Sequence, residues 1–260
     1  MDLLEYYFSP RLFNDVFLCI RQCKEVPIKE LREKYQLRSN LDRRSDILFQ
    51  TLKIMEILGI TKYYDNKIIK INERVQTDNA RLELLWHIRH HNDPGVKYVA
   101  EIINYYVCPP SLREIETDLT VVFRRFRGEY LFYGDVLPTH ELKIDYLMKI
   151  LRFVGVGIVR GSRERPRVLP ALAPSLLEDI YQERIYKSKK INQLPVHVFL
   201  GLIDQYIRVY HENSPSQVVL TTLFTLEKYN RIRLLNLADG GPIFNFKNKI
   251  FNFIIWEEKR

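Results

Sequence analysis

The sequence has little glycine, less cysteine and no long apolar run, and each shortage excludes something. Ten glycines in 260 residues leave little material for phosphate-cradling loops, and no G-x-x-x-x-G-K-[ST], G-x-G-x-x-G or G-x-S-x-G occurs. Three cysteines, Cys19, Cys23 and Cys108, cannot all pair within one chain and form no C-x-x-C clip. Cys19 and Cys23 fall four apart on an expected helix, where free thiols are common; this is the cysteine usage of a reducing compartment. No segment reaches the roughly 20 apolar residues of a spanning helix. The start, Met1-Asp-Leu-Leu-Glu, lacks the basic and then apolar order of a secretory signal. The expectation is a cytoplasmic protein with no membrane segment.

What is present is a core's worth of apolar side chains, 46% of the residues with 16 tyrosines and 14 phenylalanines, too many for a disordered chain. The length suits one large domain or two to three small ones. Lys and Arg number 40 against 32 Asp and Glu, a net +8.

The first 75 residues carry the clearest pattern. Ser9-Pro10 opens an amphipathic segment with Phe13, Phe17 and Ile20 at helical spacing. Val26-Pro27 interrupts it, and Ile28, Leu31 and Tyr35 mark a second helix. After a polar turn, residues 47–58 predict a third helix that Gly59 stops. Residues 60–64 and 67–71 then predict strands joined by a tight turn at Asp65-Asn66. The order returns with a helix at 95–107 and another begun by Pro109-Pro110-Ser111 and running to Leu119. An aromatic, Arg-rich connection is expected over 121–136. A helix from Pro138 to Gly155 and a hairpin at 156–160 and 167–169 follow, turned at 161–164. A third, looser copy has helices at 196–210 and 217–229, the second begun by Ser214-Pro215-Ser216. Residues 232–237 and 243–246 read as its hairpin, and residues 250–256 as a further strand. Here the middle helix is missing or short.

Three helices followed by a β-hairpin is the order of a winged helix. Through Ile57-Leu58-Gly59-Ile60 and Phe153-Val154-Gly155-Val156, each leading into a hairpin, the chain resembles the winged-helix superfamily over 10–72, and more loosely over 95–170 and 195–256. The fold class expected is mainly α with small β-hairpins (α+β), in tandem winged-helix units: domains 1–76, 77–191 (with a helical insertion) and 192–260. Tandem units of this size are similar to bacterial DNA-binding regulators. They are also similar to the MukE-like accessory subunits that clasp kleisins in chromosome-structure complexes, including plasmid- and phage-defence (antiviral) systems. That resemblance implies protein partners, with DNA contact secondary.

Charge points to one segment. Residues 136–190 carry 11 basic and 6 acidic groups, the largest excess along the chain. Arg160, Arg163, Arg165 and Arg167 bracket the second hairpin turn, where a wing can lie on phosphates or in the minor groove. Lys187, Lys189 and Lys190 follow. In the first copy, Arg43 and Arg44 open the third helix, with Ser45, Gln50 and Lys53 as its outward polar positions. Those arginines and lysines are the candidate double-stranded-DNA contacts. Against base reading, residues 47–58 and 218–226 are apolar around most of the helix, which fits burial. An arginine-rich hairpin also suits a protein interface. The interleaved Phe123-Arg-Arg-Phe-Arg reads as an ordinary connection, a stacking platform or an interface anchor.

No chemistry stands out. His87 and His91 have i,i+4 spacing, but two imidazoles without nearby Cys or acids are thin material for a metal. Asp135 with Glu141-Leu-Lys143 superficially matches a nuclease E-x-K, yet that chemistry needs a strand, and this one opens a helix. No catalytic residues, metal or cofactor are expected. The reading is a non-catalytic subunit of a DNA-associated complex, homodimeric or in a larger assembly. The alternative is a stand-alone DNA-binding transcriptional regulator.

Overall fold

The computed structural model describes residues 2–35, 46–64, 68–131, 140–161 and 164–257. The fold is mainly α with small antiparallel strand sets. A 3₁₀ turn at Leu3–Glu5 precedes α1 (Pro10–Cys23). Pro10 suits a first helical position because its missing N–H has no intrahelical partner to lose. Phe13, Val16, Phe17 and Ile20 repeat every three to four residues and bury one face. β1 (Glu25–Pro27) leads at once into α2 (Ile28–Tyr35), which buries Leu31. α3 (Ile47–Ile57) starts at Asp46, whose carboxylate accepts from the Leu48 and Phe49 amides at 2.9 and 3.3 Å. It stops where Gly59 turns to φ +71°, a conformation costly for any side chain. β2 (Thr61–Tyr64) and β3 (Ile68–Ile71) pair antiparallel from Thr61↔Ile71 to Tyr64↔Ile68. β1 lies on the other side of β3, so the sheet order is β1-β3-β2. The expected turn residues Asp65 and Asn66 lie outside the described residues.

Two helices follow, α4 (Ala80–His90), capped by Asn79, and α5 (Pro94–Val107). The helix expected from Pro109-Pro110-Ser111 does not form; residues 108–117 are irregular. Pro110 drives the residue before it out of the α region, and Ser111 Oγ accepts from the Arg113 amide in a local turn. The helix starts at Leu119 instead: α6 (Leu119–Leu131) covers most of what reads in sequence as a connection. Asp118 accepts from the Thr120 amide at 2.8 Å, and Leu119, Val122, Phe123 and Arg127 turn inward at helical spacing. α7 (His140–Val154) ends as expected, with Gly155 at φ +74°. β4 (Val156–Arg160) and β5 (Arg167–Leu172) pair in a two-stranded sheet. Asp118 forms an antiparallel bridge to Arg167, so the residue before α6 flanks β5 as β1 flanks β3.

The last part begins with α8 (Pro174–Tyr181), a π-helical turn (Gln182–Tyr186) and the single turn α9 (Lys187–Lys189). β6 (Gln193–Pro195) runs straight into α10 (Val196–Asp204), shorter than expected. Asp204 ends it by accepting from the Val209 amide, and a minimal hairpin, β7 (Tyr210–His211) with β8 (Ser214–Pro215), fills the remainder. Ser216 caps α11 (Gln217–Lys228). β9 (Ile232–Leu235) does not pair with residues 243–246 as expected. It pairs with β12 (Phe253–Trp256), whose other edge takes β6, giving the order β6-β12-β9. The segment between them forms its own hairpin, β10 (Phe244–Phe246) and β11 (Lys249–Phe251). Lys247 and Asn248, both at positive φ, make its two-residue turn. Asn252 separates β11 from β12: its amide side chain bonds both backbone groups of Leu237 at 2.8 Å.

Among the described residues one connectivity therefore occurs three times: a short strand or bridge, two helices, then two strands, with the last strand in the middle of the set; in the third, the β7–β8 and β10–β11 hairpins are inserted between the two helices and between the two strands. Two compact units emerge from the internal contacts. The first holds Met1–Ile102, Glu116–Val154 and Val159–Arg167. The second holds Ile103–Ile115, Gly155–Ile158 and Val168–Arg260. Among the described residues, no helix is long and apolar enough to cross a membrane.

Candidate nucleic-acid interface

The helices before the three hairpins, α3, α7 and α11, are where a groove-reading face would lie. In α3 only Ile47 is fully exposed, and Phe49, Gln50, Lys53, Glu56 and Ile57 are half-buried. Its polar positions are already engaged: Gln50 Oε1 accepts from the Tyr7 amide at 2.5 Å, and Lys53 sits 2.6 Å from Glu56. That hydrogen bond raises the Lys53 pKa. Of the residues Glu141 to Val154 of α7, only Glu141, Leu142 and Arg152 are exposed. α11 exposes Gln217, Thr221 and Lys228, with Phe224, Thr225 and Glu227 half-buried and the rest of the helix buried.

What covers α3 and α7 is the segment Asp2–Phe8, in the same compact unit. Tyr7 meets the Tyr146 ring edge-on at 5.4 Å and lies 4.1 Å from Lys149 Nζ. Phe8 and Phe13 both contact Phe153. At its start, the buried Asp2 carboxylate accepts from Lys143 Nζ at 2.7 Å and from the Tyr98 hydroxyl at 2.7 Å. Arg127 Nε lies 3.5 Å from the same carboxylate, an ion pair without hydrogen-bond alignment. Burial, then the Asp2 charge, raises the Tyr98 pKa well above its ordinary value. Lys143, the lysine of the E-x-K match, is thus a structural cation inside the first unit. Asp135 lies outside the described residues.

The second hairpin is different. Arg160, Arg165 and Arg167 are exposed in the first unit, and none is ion-paired among the described residues. The Leu119 amide donates to the Pro166 carbonyl at 2.9 Å, which with the Asp118–Arg167 bridge ties this arm to the start of α6. A Cβ on Gly161 would collide with the Arg165 carbonyl oxygen, so the chain closes tightly there. Arg43, Arg44 and Arg163 lie outside the described residues.

The lysines of the second unit are less available. Lys187 pairs with Glu183 at 2.6 Å, Lys190 lies 5.9 Å from the Tyr186 ring centre, and Lys189 is exposed. Nearby is a cleft of about 480 Å³ that sequence reasoning misses, because its lining comes from three separate stretches, around residues 178–192, 231 and 256. Tyr181 and Trp256 stack in it at 4.2 Å. Two of its three carboxylates are spent on the chain's own arginines, Glu178 on Arg231 at 2.8 Å and Glu257 on Arg233.

The histidine cluster does not converge. His87 is buried 3.5 Å from Glu83, while His91 Nε2 lies against the Ile57 carbonyl and His90 stacks on Trp86. Among the described residues, no three His, Cys, Asp or Glu side chains group to hold a metal. Comparison with protein-family models, with curated proteins and with solved structures returns no match for this chain.

Proposed function

We propose that this chain is a tandem winged-helix protein that serves as a non-catalytic subunit of a DNA-associated complex. Under this reading it binds a partner protein and meets duplex DNA non-specifically through its basic second hairpin. The recurring connectivity, with the last strand central in each set, supports the winged-helix part. One observation carries the choice between classes: α3 and α7 pack under the segment Asp2–Phe8, while Arg160, Arg165 and Arg167 stand exposed, with no ion pair among the described residues. Arginines on a hairpin serve phosphate positioning, which carries no sequence information. A stand-alone transcriptional regulator needs a polar helix free to enter the major groove, and α3 spends Gln50 and Lys53 internally. Service in a chromosome-structure or antiviral defence assembly fits the same surfaces, as does a homodimer. A gel shift with the charge-reversed protein, Arg160, Arg163, Arg165 and Arg167→Glu, tests the reading. Loss of most duplex binding, for any sequence, is expected; full affinity at matched salt refutes the DNA part.

A further inference from the structure

The β10–β11 hairpin of the second unit breaks the usual division of a hairpin into an apolar inner and a polar outer face. Its inner side is spent: Phe246 and Phe251 contact Phe224 of α11, and Lys249 reaches Glu227 at 2.5 Å. Alternation then places Ile243, Asn245 and Ile250 on the other side, with Asn245 opposite Ile250 in the register. Ile243 is 65% and Ile250 51% exposed, on a face that should be polar if only water met it. Among the described residues neither strand has a second strand partner, so an edge of unpaired backbone donors and acceptors adjoins two solvent-facing isoleucines. Natural edges are usually blunted by charge, proline or a bulge.

Charge selects the occupant. The hairpin carries Lys247 and Lys249 and no acid. Lys249 is neutralised by Glu227, whereas the exposed Lys247 has, among the described residues, only the Phe246 ring beside it, at 5.4 Å. A second copy docking through this edge would bring more lysine and no hairpin acid to meet Lys247, and two isoleucines gain nothing from phosphate. We infer that the β10–β11 hairpin is a docking edge for an extended protein segment that alternates apolar residues with carboxylates. The backbone of such a segment would add a strand, its apolar side chains would cover Ile243 and Ile250, and its acids would meet Lys247.

The inference rests on the assembly half of the function proposed above. Its test is selection from a displayed random-peptide library on the full chain, followed by affinity measurements with the enriched peptides made synthetically. The expected peptides alternate apolar and acidic residues. Their affinity should fall at least about tenfold for Ile243→Glu/Ile250→Glu and severalfold for Lys247→Glu. Both variants change exposed residues, and circular dichroism verifies their fold. Duplex binding should be unchanged in both, and peptide binding unchanged in the 160–167 charge reversal, so either proposal can fail alone. No enriched peptide, enrichment without this pattern, or equal affinity for the variants overturns the inference. So does a wild-type dimer in sedimentation that Ile243→Glu/Ile250→Glu dissolves, which makes the occupant a second copy. Loss of duplex binding in these variants makes the edge a nucleic-acid surface instead, and overturns it equally.

Discussion

Asp2 is the carboxylate on which two buried cations depend. Replacing it by Asn leaves Lys143 and Arg127 inside the first unit with, among the described residues, only the more distant Glu5, 3.9 Å from Lys143, to balance them. Breaking one side of a buried pair costs more than the pair contributes, so Asp2→Asn should lose about 3 kcal/mol in urea unfolding. A loss below about 0.5 kcal/mol would mean that the cluster is effectively solvated. Tyr63 gives a pH test. Burial, assisted by the Glu56 charge, moves its hydroxyl from the ordinary 10.0 up to about 12. Below pH 10 both states keep that proton and the contribution is complete. Between about 10 and 12 the unfolded chain releases it first, so stability falls as pH rises. Tyr63→Phe should remove about 2 kcal/mol of that alkaline loss relative to wild type; parallel pH profiles for the two proteins would contradict the assignment. Neither the burial of Asp2 nor the engagement of Gln50, which the sequence marks as an outward polar position, can be picked out from the sequence. Asp2 and Lys143 are 141 positions apart, and residue type alone does not say which polar side chain will be buried.

At the scale of elements, local chemistry was the legible part. Ser9-Pro10, Asp46 and Ser216 mark helix starts, and Gly59 and Gly155 mark ends, because capping and left-handed backbone depend on one or two residues. Pairing between strands was less legible. Residues 232–235 had two candidate partners of equal apolar character, and the short Lys247-Asn248 turn gave 244–246 to 249–251 by proximity, leaving β12 for β9. α6 was hidden because its outward Arg124 and Arg125 dominate the composition, while the inward spacing of Leu119, Val122, Phe123 and Arg127 carries the helix. The basic hairpin was found by charge; the covering of α3 and α7 was not, since it is made by a segment far away in sequence. Two tests belong at this scale. Gln50→Ala should lower stability by about 1 kcal/mol, through the orphaned Tyr7 amide, and leave duplex affinity unchanged. A loss of sequence preference instead would restore α3 as a reading helix. Gly161→Val should weaken duplex binding through distortion of the turn, with far-UV circular dichroism retained; wild-type affinity would mean that the turn does not hold the arginines in place.

For the molecule as a whole, a net +8 is modest, so where the cations sit decides more than their number. Several are paired within the chain, as Lys53, Lys143, Lys187 and Lys249 are, while Arg160, Arg165 and Arg167 of the second hairpin are exposed with no ion pair among the described residues. Under the proposed function, duplex DNA is met there, by charge and without base reading. The most direct measurement is fluorescence anisotropy with two duplexes of unrelated sequence over a range of salt concentrations. It would compare wild type with the variant carrying Arg160, Arg163, Arg165 and Arg167→Glu. Equal affinity of the wild type for both duplexes is expected. The slope of log K against log salt should shrink in the variant by roughly 0.9 for each arginine that meets a phosphate. A tenfold or greater preference for one duplex, or a slope unchanged by the four substitutions, would contradict the account.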